Sequence, residues 1–199
     1  MSGQVGNVYI ISAPSGTGKT TLIKRVREIL PDLHFSVSVT TRSPRADESD
    51  GRDYHFLSDD EFDDMVRNDQ FLEWAQVHGK RYGTLREETE HLLKDGVDVI
   101  FDIDVQGAQK IMDATWEDID EPEIITIFIF PPDLETLRGR LTNRPGGTNN
   151  IEDRLAVAGR EMEIGSRLYI YRITNGEGSG GIALAVNDIV EVFRQNGAV

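Results

Sequence analysis

Short apolar runs alternate along this chain with stretches in which apolar residues recur every three or four positions, the rhythm of strands alternating with helices. VYIIS at 8–12 is compact and β-branched, which predicts a strand buried on both faces. Leu22, Ile23, Val26, Ile29 and Leu30 then recur at helical spacing until Pro31 ends the pattern. Phe35, Val37 and Val39 alternate with Ser36 and Ser38, predicting a strand over 35–39, with another over 54–57. Ser58 and Glu61 form a capping-box pattern that opens a helix through Val66, and FLEWAQV at 71–77 returns to strand residues. A helix over about 85–94 stops at Gly96. VDVIFDID at 97–104 predicts a buried strand, followed by a helix from Gln106 to Asp113. IITIFIF at 124–130 predicts a further buried strand, and the helix after Pro131 and Pro132 runs through Arg144, with Leu134, Leu137 and Leu141 on one face. RPGGTNN at 144–150 reads as a mobile hairpin between two arginine-bearing helical segments. A short strand over 169–174, the glycine cluster GEGSGG at 176–181 and an amphipathic helix near 182–195 complete the pattern. The order implies an α/β fold on a parallel sheet, and the β-rich stretch 35–84 reads as a lobe over the sheet edge.

Composition narrows the candidate functions. The chain has 199 residues, 38% of them hydrophobic, which suits one domain, or one core with small lobes. A net charge of -14 disfavours general binding to nucleic acid or to anionic membranes. Any anion site must therefore be a local concentration of positive charge. The chain lacks cysteine, which removes disulfides, thiolate metal sites and a cysteine nucleophile. The start MSGQVGN has no apolar signal core, and no apolar run approaches the roughly 20 residues of a membrane span. The expectation is a cytoplasmic protein with no obligate protein partner.

The segment between the first strand and helix, APSGTGKT at 13–20, has the composition of a phosphate loop. Such a loop works because glycines let successive backbone N–H groups converge on phosphate oxygens, while the helix N-terminus and a lysine supply positive charge. Ala13, Pro14, Ser15, Gly16, Thr17, Gly18, Lys19, Thr20 and Thr21 are the candidate ATP-binding residues. Ala13 stands where the strict pattern has glycine. Thr20 is the candidate Mg²⁺ hydroxyl ligand and Asp102, at a strand end, the candidate carboxylate near the metal.

A second anion site is suggested by VTTRSPR at 39–45, where Arg42 and Arg45 lie three apart in an otherwise acidic chain. Arginine forks suit bidentate phosphate binding. Tyr54 and Tyr82 can add phenolic hydroxyls, although each read alone is also an ordinary packing residue. Taken together, APSGTGKTTL, SVSVTTRSPR, GRDYHF, FLEWAQVHGKRYGT and VIFDIDVQGAQ resemble the guanylate kinase family over roughly residues 8–110.

The resemblance implies a P-loop NTPase core with a β-rich GMP-binding lobe and a helical lid. The expected boundaries are core 8–34, 85–137 and 165–199, lobe 35–84 and lid about 138–164. It implies transfer of the terminal phosphoryl group of ATP to GMP, with Mg²⁺, in purine nucleotide metabolism. It places Ser38, Glu73, Thr84 and Asp104 at guanine, and Arg42, Arg45, Tyr54 and Tyr82 at the GMP phosphate. An ionised Glu73 suits that role, since guanine presents N1–H and N2–H₂ as adjacent donors. The resemblance also puts Arg140, Arg144 and Arg154 on the lid, so that Lys19, Arg42, Arg140, Arg144 and Arg154 form the catalytic set. Phosphoryl transfer asks chiefly for alignment and charge stabilisation, so a cation set is the machinery expected. Asn175 is the candidate adenine or ribose contact, although Thr174-Asn175-Gly176 stands where the family usually has Val-Asn-Asp, and the hairpin is short. His34, His55, His78 and His91 lack metal-ligand spacing. Two rival readings are an inactive guanylate-kinase-like protein-interaction domain, which the intact loop argues against, and a P-loop kinase of a sugar phosphate, which needs no guanine set.

Overall fold

The structure is a computed structural model that describes residues 5–45, 48–77, 79–116, 119–143 and 150–198. Two sheets organise the chain. Five strands follow the order β2-β7-β1-β8-β9, comprising β2 (His34–Phe35), β7 (Val99–Asp102), β1 (Val8–Ser12), β8 (Ile124–Phe130) and β9 (Tyr171–Thr174). Both β2 with β7 and β8 with β9 pair in parallel, as expected of strands joined by helical crossovers. The second sheet has the order β4-β3-β6-β5, from β3 (Val39–Thr40), β4 (His55–Phe56), β5 (Phe71–Val77) and β6 (Lys80–Leu85).

The contacts divide the chain into two compact units: residues 1–8, 34–101 and 106–124, and residues 9–33, 102–105 and 125–199. In the first unit, α2 (Asp59–Arg67) starts at the Ser58–Glu61 capping box, with both reciprocal hydrogen bonds present. Its Phe62 stacks on Phe71 of β5 at 4.6 Å, in a cluster with Val39 that Leu57, Met65, Val66 and Leu85 complete. Gly83 in β6 makes that packing possible, since a Cβ there would lie 2.7 Å from the Phe71 ring. Helices α3 (Arg86–Lys94) and α4 (Val105–Met112) follow β6 and β7.

In the second unit, α1 (Lys19–Ile29) buries Leu22, Ile23 and Val26, and α7 (Gly178–Gln195) buries Ala185, Val186, Ile189, Val190, Val192 and Phe193. Helices α5 (Leu134–Thr142) and α6 (Ile151–Leu168) meet through Leu137, Leu141, Leu155 and Ala158. Gly165 brings α6 against Phe128, whose ring atoms a Cβ would reach at 2.5 Å.

Several boundaries differ from the sequence expectations. The predicted strand 35–39 is two strands in different sheets: Phe35 pairs with Ile100 and Val39 with Gly83 and His55. The alternation of Val and Ser hides that change of sheet. The run 97–104 is a strand only over Val99–Asp102, so Asp104 lies beyond its end. The predicted strand 169–174 begins at Tyr171, because Tyr169 caps α6. The last helix starts at Gly178 and absorbs most of the glycine cluster. There Gly181 serves close approach: a Cβ on it would sit 2.4 Å from the Gly176 carbonyl carbon. The helix before the hairpin ends at Thr142, and Arg144 lies outside the described residues, as do residues 145–149 of the hairpin.

Candidate functional site

The phosphate loop lies in the second unit. β1 is wholly buried and ends at Ser12, and α1 begins at Lys19, so residues 13–18 make a tight turn over a strand end. Gly16 and Gly18 adopt φ of 90° and 100°, which glycine occupies without a Cβ penalty. Gly16 also lies under Leu141, whose side chain a Cβ would meet at 2.8 Å. Ala13, Pro14, Ser15 and Thr17 complete the turn, with the Thr17 N–H donating to the Pro14 carbonyl. Thr20 and Thr21 lie exposed in the first turn of α1.

Lys19 reaches across to the end of β7. Its Nζ is 2.5 Å from Asp102 Oδ1 and donates to the Ile103 carbonyl at 3.1 Å. Asp102 and Thr20 both offer oxygen ligands of the hard type that Mg²⁺ prefers, and Asp102 keeps part of its carboxylate open to solvent. Among the described residues no cluster of His, Asp and Glu forms a metal cage, including His34, His55 and His91; His78 lies outside them.

The arginines named for the lid divide. Arg154 on α6 donates to Ser15 Oγ at 3.2 Å, which attaches it to the phosphate loop. Arg140 on α5 is a strut: Nη1 donates to the Thr17 carbonyl at 3.0 Å, and Nη2 to the Asn175 and Gly176 carbonyls at 3.1 and 2.8 Å. Asn175 is buried and its Nδ2 donates to the same Thr17 carbonyl at 2.7 Å. Among the described residues the Thr17 hydroxyl and Asn175 Oδ1 are buried without a hydrogen-bond partner, polar atoms beside the loop that a nucleotide can satisfy.

Asp104, two residues beyond Asp102, lies in this second unit near Glu161 of α6. Burial first, then the Asp104 charge, pushes the Glu161 carboxyl up to about 7, with Lys19 opposing. The sequence gives no signal for Glu161 beyond one more helical acid.

A second group of candidate residues is in the first unit. Arg42, just after β3, is gripped by Glu48: Nη1 and Nη2 donate to the two carboxylate oxygens at 2.9 Å each. The guanidinium also lies over the Tyr54 and Phe56 rings, at 5.2 and 5.7 Å. The Glu48 hydrogen bond raises the Arg42 pKa further, against desolvation, and Tyr82 adds to it. Arg45 donates its backbone N–H to Glu48 and lies 3.6 Å from it by side chain. Glu48 therefore joins both predicted arginines, a residue the motif reading passed over; an acid three positions after Arg45 was the available signal.

Tyr54 and Tyr82 meet edge to face at 6.1 Å. Tyr82 and Thr84 lie two apart on β6 and so share a face, and Glu73 is in register with Thr84 on β5. Both are buried, and the Thr84 hydroxyl donates to Glu73 Oε1 at 2.9 Å. Ser38 directly precedes β3, and its carbonyl accepts from the His55 N–H. The structure thus brings Arg42, Arg45, Tyr54 and Tyr82 into one neighbourhood, and Glu73 with Thr84 into a buried pair on the same sheet.

A glycine loop holding a lysine, and a buried carboxylate on a sheet that also carries clustered arginine and tyrosines, are the parts of a nucleotide kinase. The sequence profile of the guanylate kinase family matches residues 5–177. The chain belongs to the guanylate kinase family. The guanylate kinase of Geobacter metallireducens is 45% identical over 89% of this chain and 84% of its own length. That of Dechloromonas aromatica is 41% identical over 96% and 90%. Among solved structures, the guanylate kinase of Anaplasma phagocytophilum superposes with a TM-score of 0.75 at 31% identity, covering 98% of this chain and 87% of that one. A gluconokinase from Sinorhizobium meliloti, 12% identical with a TM-score of 0.51, shares the fold alone. Guanylate kinase membership fits a nucleotide kinase on a parallel P-loop core. Among the described residues no helix is long and apolar enough to cross a membrane.

Proposed function

We propose that this guanylate kinase family member transfers the γ-phosphoryl group of ATP to GMP, giving ADP and GDP. A phosphate oxygen of GMP attacks the γ-phosphorus, and the bond to the β-phosphate oxygen breaks as ADP leaves. The observation that carries the acceptor assignment is the buried Glu73, hydrogen-bonded by Thr84 on the sheet that also bears Arg42, Tyr54 and Tyr82. A carboxylate accepts the paired N1–H and N2–H₂ donors of guanine, and adenine has no such pair on that edge. Ser38 and Asp104 complete the proposed guanine set, and Arg45 joins Arg42 at the GMP phosphate.

Lys19 and the loop N–H groups bind the ATP phosphates, and Asn175 stands on the adenine side. Arg42, Arg140, Arg144 and Arg154 are the further members of the proposed cation set. Within it, the hydrogen bonds of Arg140 to three carbonyls support a role in holding the loop in shape. Thr20 and Asp102 would hold Mg²⁺ together with nucleotide oxygens and water. Bound there, Mg²⁺ neutralises charge on the phosphate oxygens. The core, GMP lobe and lid boundaries given above, and a cytoplasmic location, belong to the same proposal.

The test is ADP formation from ATP and Mg²⁺ with GMP, AMP, UMP, CMP or a sugar phosphate as acceptor, in the wild type and in Lys19→Ala and Glu73→Ala. Activity selective for GMP and lost in both variants is the expected result. Folded protein that binds GMP and turns over no acceptor would point to the interaction domain instead.

A further inference from the structure

Behind the phosphate loop runs a buried chain of hydrogen bonds that no step of the proposed reaction uses. Tyr169, at the C-terminal end of α6, is 2% exposed, and its hydroxyl donates to Ser12 Oγ at 2.7 Å. Ser12 is the last residue of β1 and fully buried, and its hydroxyl donates to the Ile103 carbonyl at 2.8 Å. That carbonyl also accepts from Lys19 Nζ at 3.1 Å. The chain therefore ends on an oxygen that, with Asp102 and the Ile11 carbonyl at 3.5 Å, fixes where the loop lysine rests.

Its direction follows from the donors available. Burial raises the pKa of the Tyr169 phenol, opposed by its hydrogen bond to Ser12, so the phenol keeps its proton and donates. A Ser hydroxyl that accepts from Tyr169 has its own proton free to point at Ile103, and the two bonds polarise in the same sense. The Ile103 carbonyl is thus held by a donor on one side and used by Lys19 on the other. Lysine carries its charge on a flexible four-carbon stem, so a fixed acceptor does more for its placement than it would for arginine.

We propose that Tyr169 and Ser12 are positioning residues for Lys19, acting through the Ile103 carbonyl. The inference rests on the reading of Lys19 as the lysine of phosphoryl transfer. Neither residue touches substrate in this role. The effect is on the chemical step and on ATP, and leaves GMP binding alone.

The test compares Tyr169→Phe, Ser12→Ala and the double variant in the full chain. Each removes a hydroxyl with little change of volume. Each single variant is expected to lower kcat about fivefold, the scale of one buried hydrogen bond, with KM for GMP within about twofold of wild type. The double variant should fall no further than the worse single, because the chain acts as one unit. A role in stability alone would lower Tm and leave kcat unchanged in protein that is still folded. A second readout needs no turnover: the chain has five lysines, so the ¹³Cε signal of Lys19 can be followed in nucleotide-free protein and assigned through Lys19→Arg. It is expected to shift in both single variants. Wild-type kcat in both, or a Lys19 signal unmoved in both, overturns the proposal. Wild type that phosphorylates no GMP instead sinks the proposed function, and the lysine signal then decides the positioning chain by itself.

Discussion

Arg42 and Glu48 form a two-pronged ion pair, each guanidinium Nη donating to one carboxylate oxygen at 2.9 Å. Nη1 also donates to the Ser43 carbonyl. Tyr82 also hydrogen-bonds the guanidinium, and the pair with Glu48 fixes the plane of the fork offered to a phosphate. Glu48→Gln keeps the size and loses the charge, so Arg42 is held less firmly, by Ser43 and the aromatic rings. KM for GMP is expected to rise about tenfold, with kcat changed less. Steady-state kinetics at saturating ATP check this, and an unchanged KM would separate Arg42 from the GMP phosphate.

Glu73, the proposed base reader, makes a different prediction. Glu73→Gln exchanges an acceptor pair for one acceptor and one donor, which faces a guanine N–H with another N–H. Selectivity for GMP over AMP is expected to fall about a hundredfold, mainly through loss of activity on GMP. Thr84→Ala should act in the same direction more weakly, since it removes one hydrogen bond to Glu73 and leaves the charge. Ratios of kcat/KM for the two acceptors decide it.

The glycines at the start of α7 can be told apart by stability. A methyl group on Gly181 would run into the Gly176 backbone, whereas one on Gly180 meets nothing within 4 Å. Gly181→Ala is expected to destabilise by about 1–3 kcal/mol through overpacking against main chain. Gly180→Ala should stabilise by up to about 1 kcal/mol, because alanine favours the helix interior. Chemical denaturation of the two variants side by side measures both signs.

Glu161 gives the pH dependence. Its carboxyl is pushed up to about 7, first by burial and then by Asp104, from an ordinary value of 4.5. Between those values the folded protein holds a proton that the unfolded chain has released. Stability contributed by this group therefore falls as pH rises through that window. Glu161→Gln should remove a loss on the order of 2 kcal/mol between about pH 4.5 and about pH 7. Urea titrations across that range test it, and parallel curves for wild type and variant would count against the assignment.

Much of this was legible in the sequence because local signals coincided with the fold. The strand, glycine turn and helix around Lys19 are continuous in the chain, and the Ser58–Glu61 cap is a four-residue motif, so neither depends on distant partners. The run 35–39 misled because β-alternation says which face a residue takes and nothing about which sheet it joins. Residues 176–181 misled because glycine reads as loop, whereas Gly181 is in a helix for lack of space. Arg140 was expected as a lid cation, whereas its acceptors here are backbone carbonyls, and carbonyls carry no side-chain signature. Glu161 and Tyr169 owe their character to burial in the tertiary structure, which spacing along one helix does not encode.

Gly18, Asn175 and Arg140 constrain one another around a single oxygen. Asn175 and Arg140 both donate to the Thr17 carbonyl, and a Cβ on Gly18 would come within 2.7 Å of Asn175 Nδ2. Three positions far apart in the chain thus behave as one unit of inheritance. Replacing the asparagine relieves the contact at Gly18 but leaves its φ of 100°, and replacing the arginine leaves the carbonyls of residues 175 and 176 without that donor. Drift at these sites is therefore expected to be concerted across relatives, while exposed neighbours such as Thr20 and Thr21 on the same helix are not held by this carbonyl.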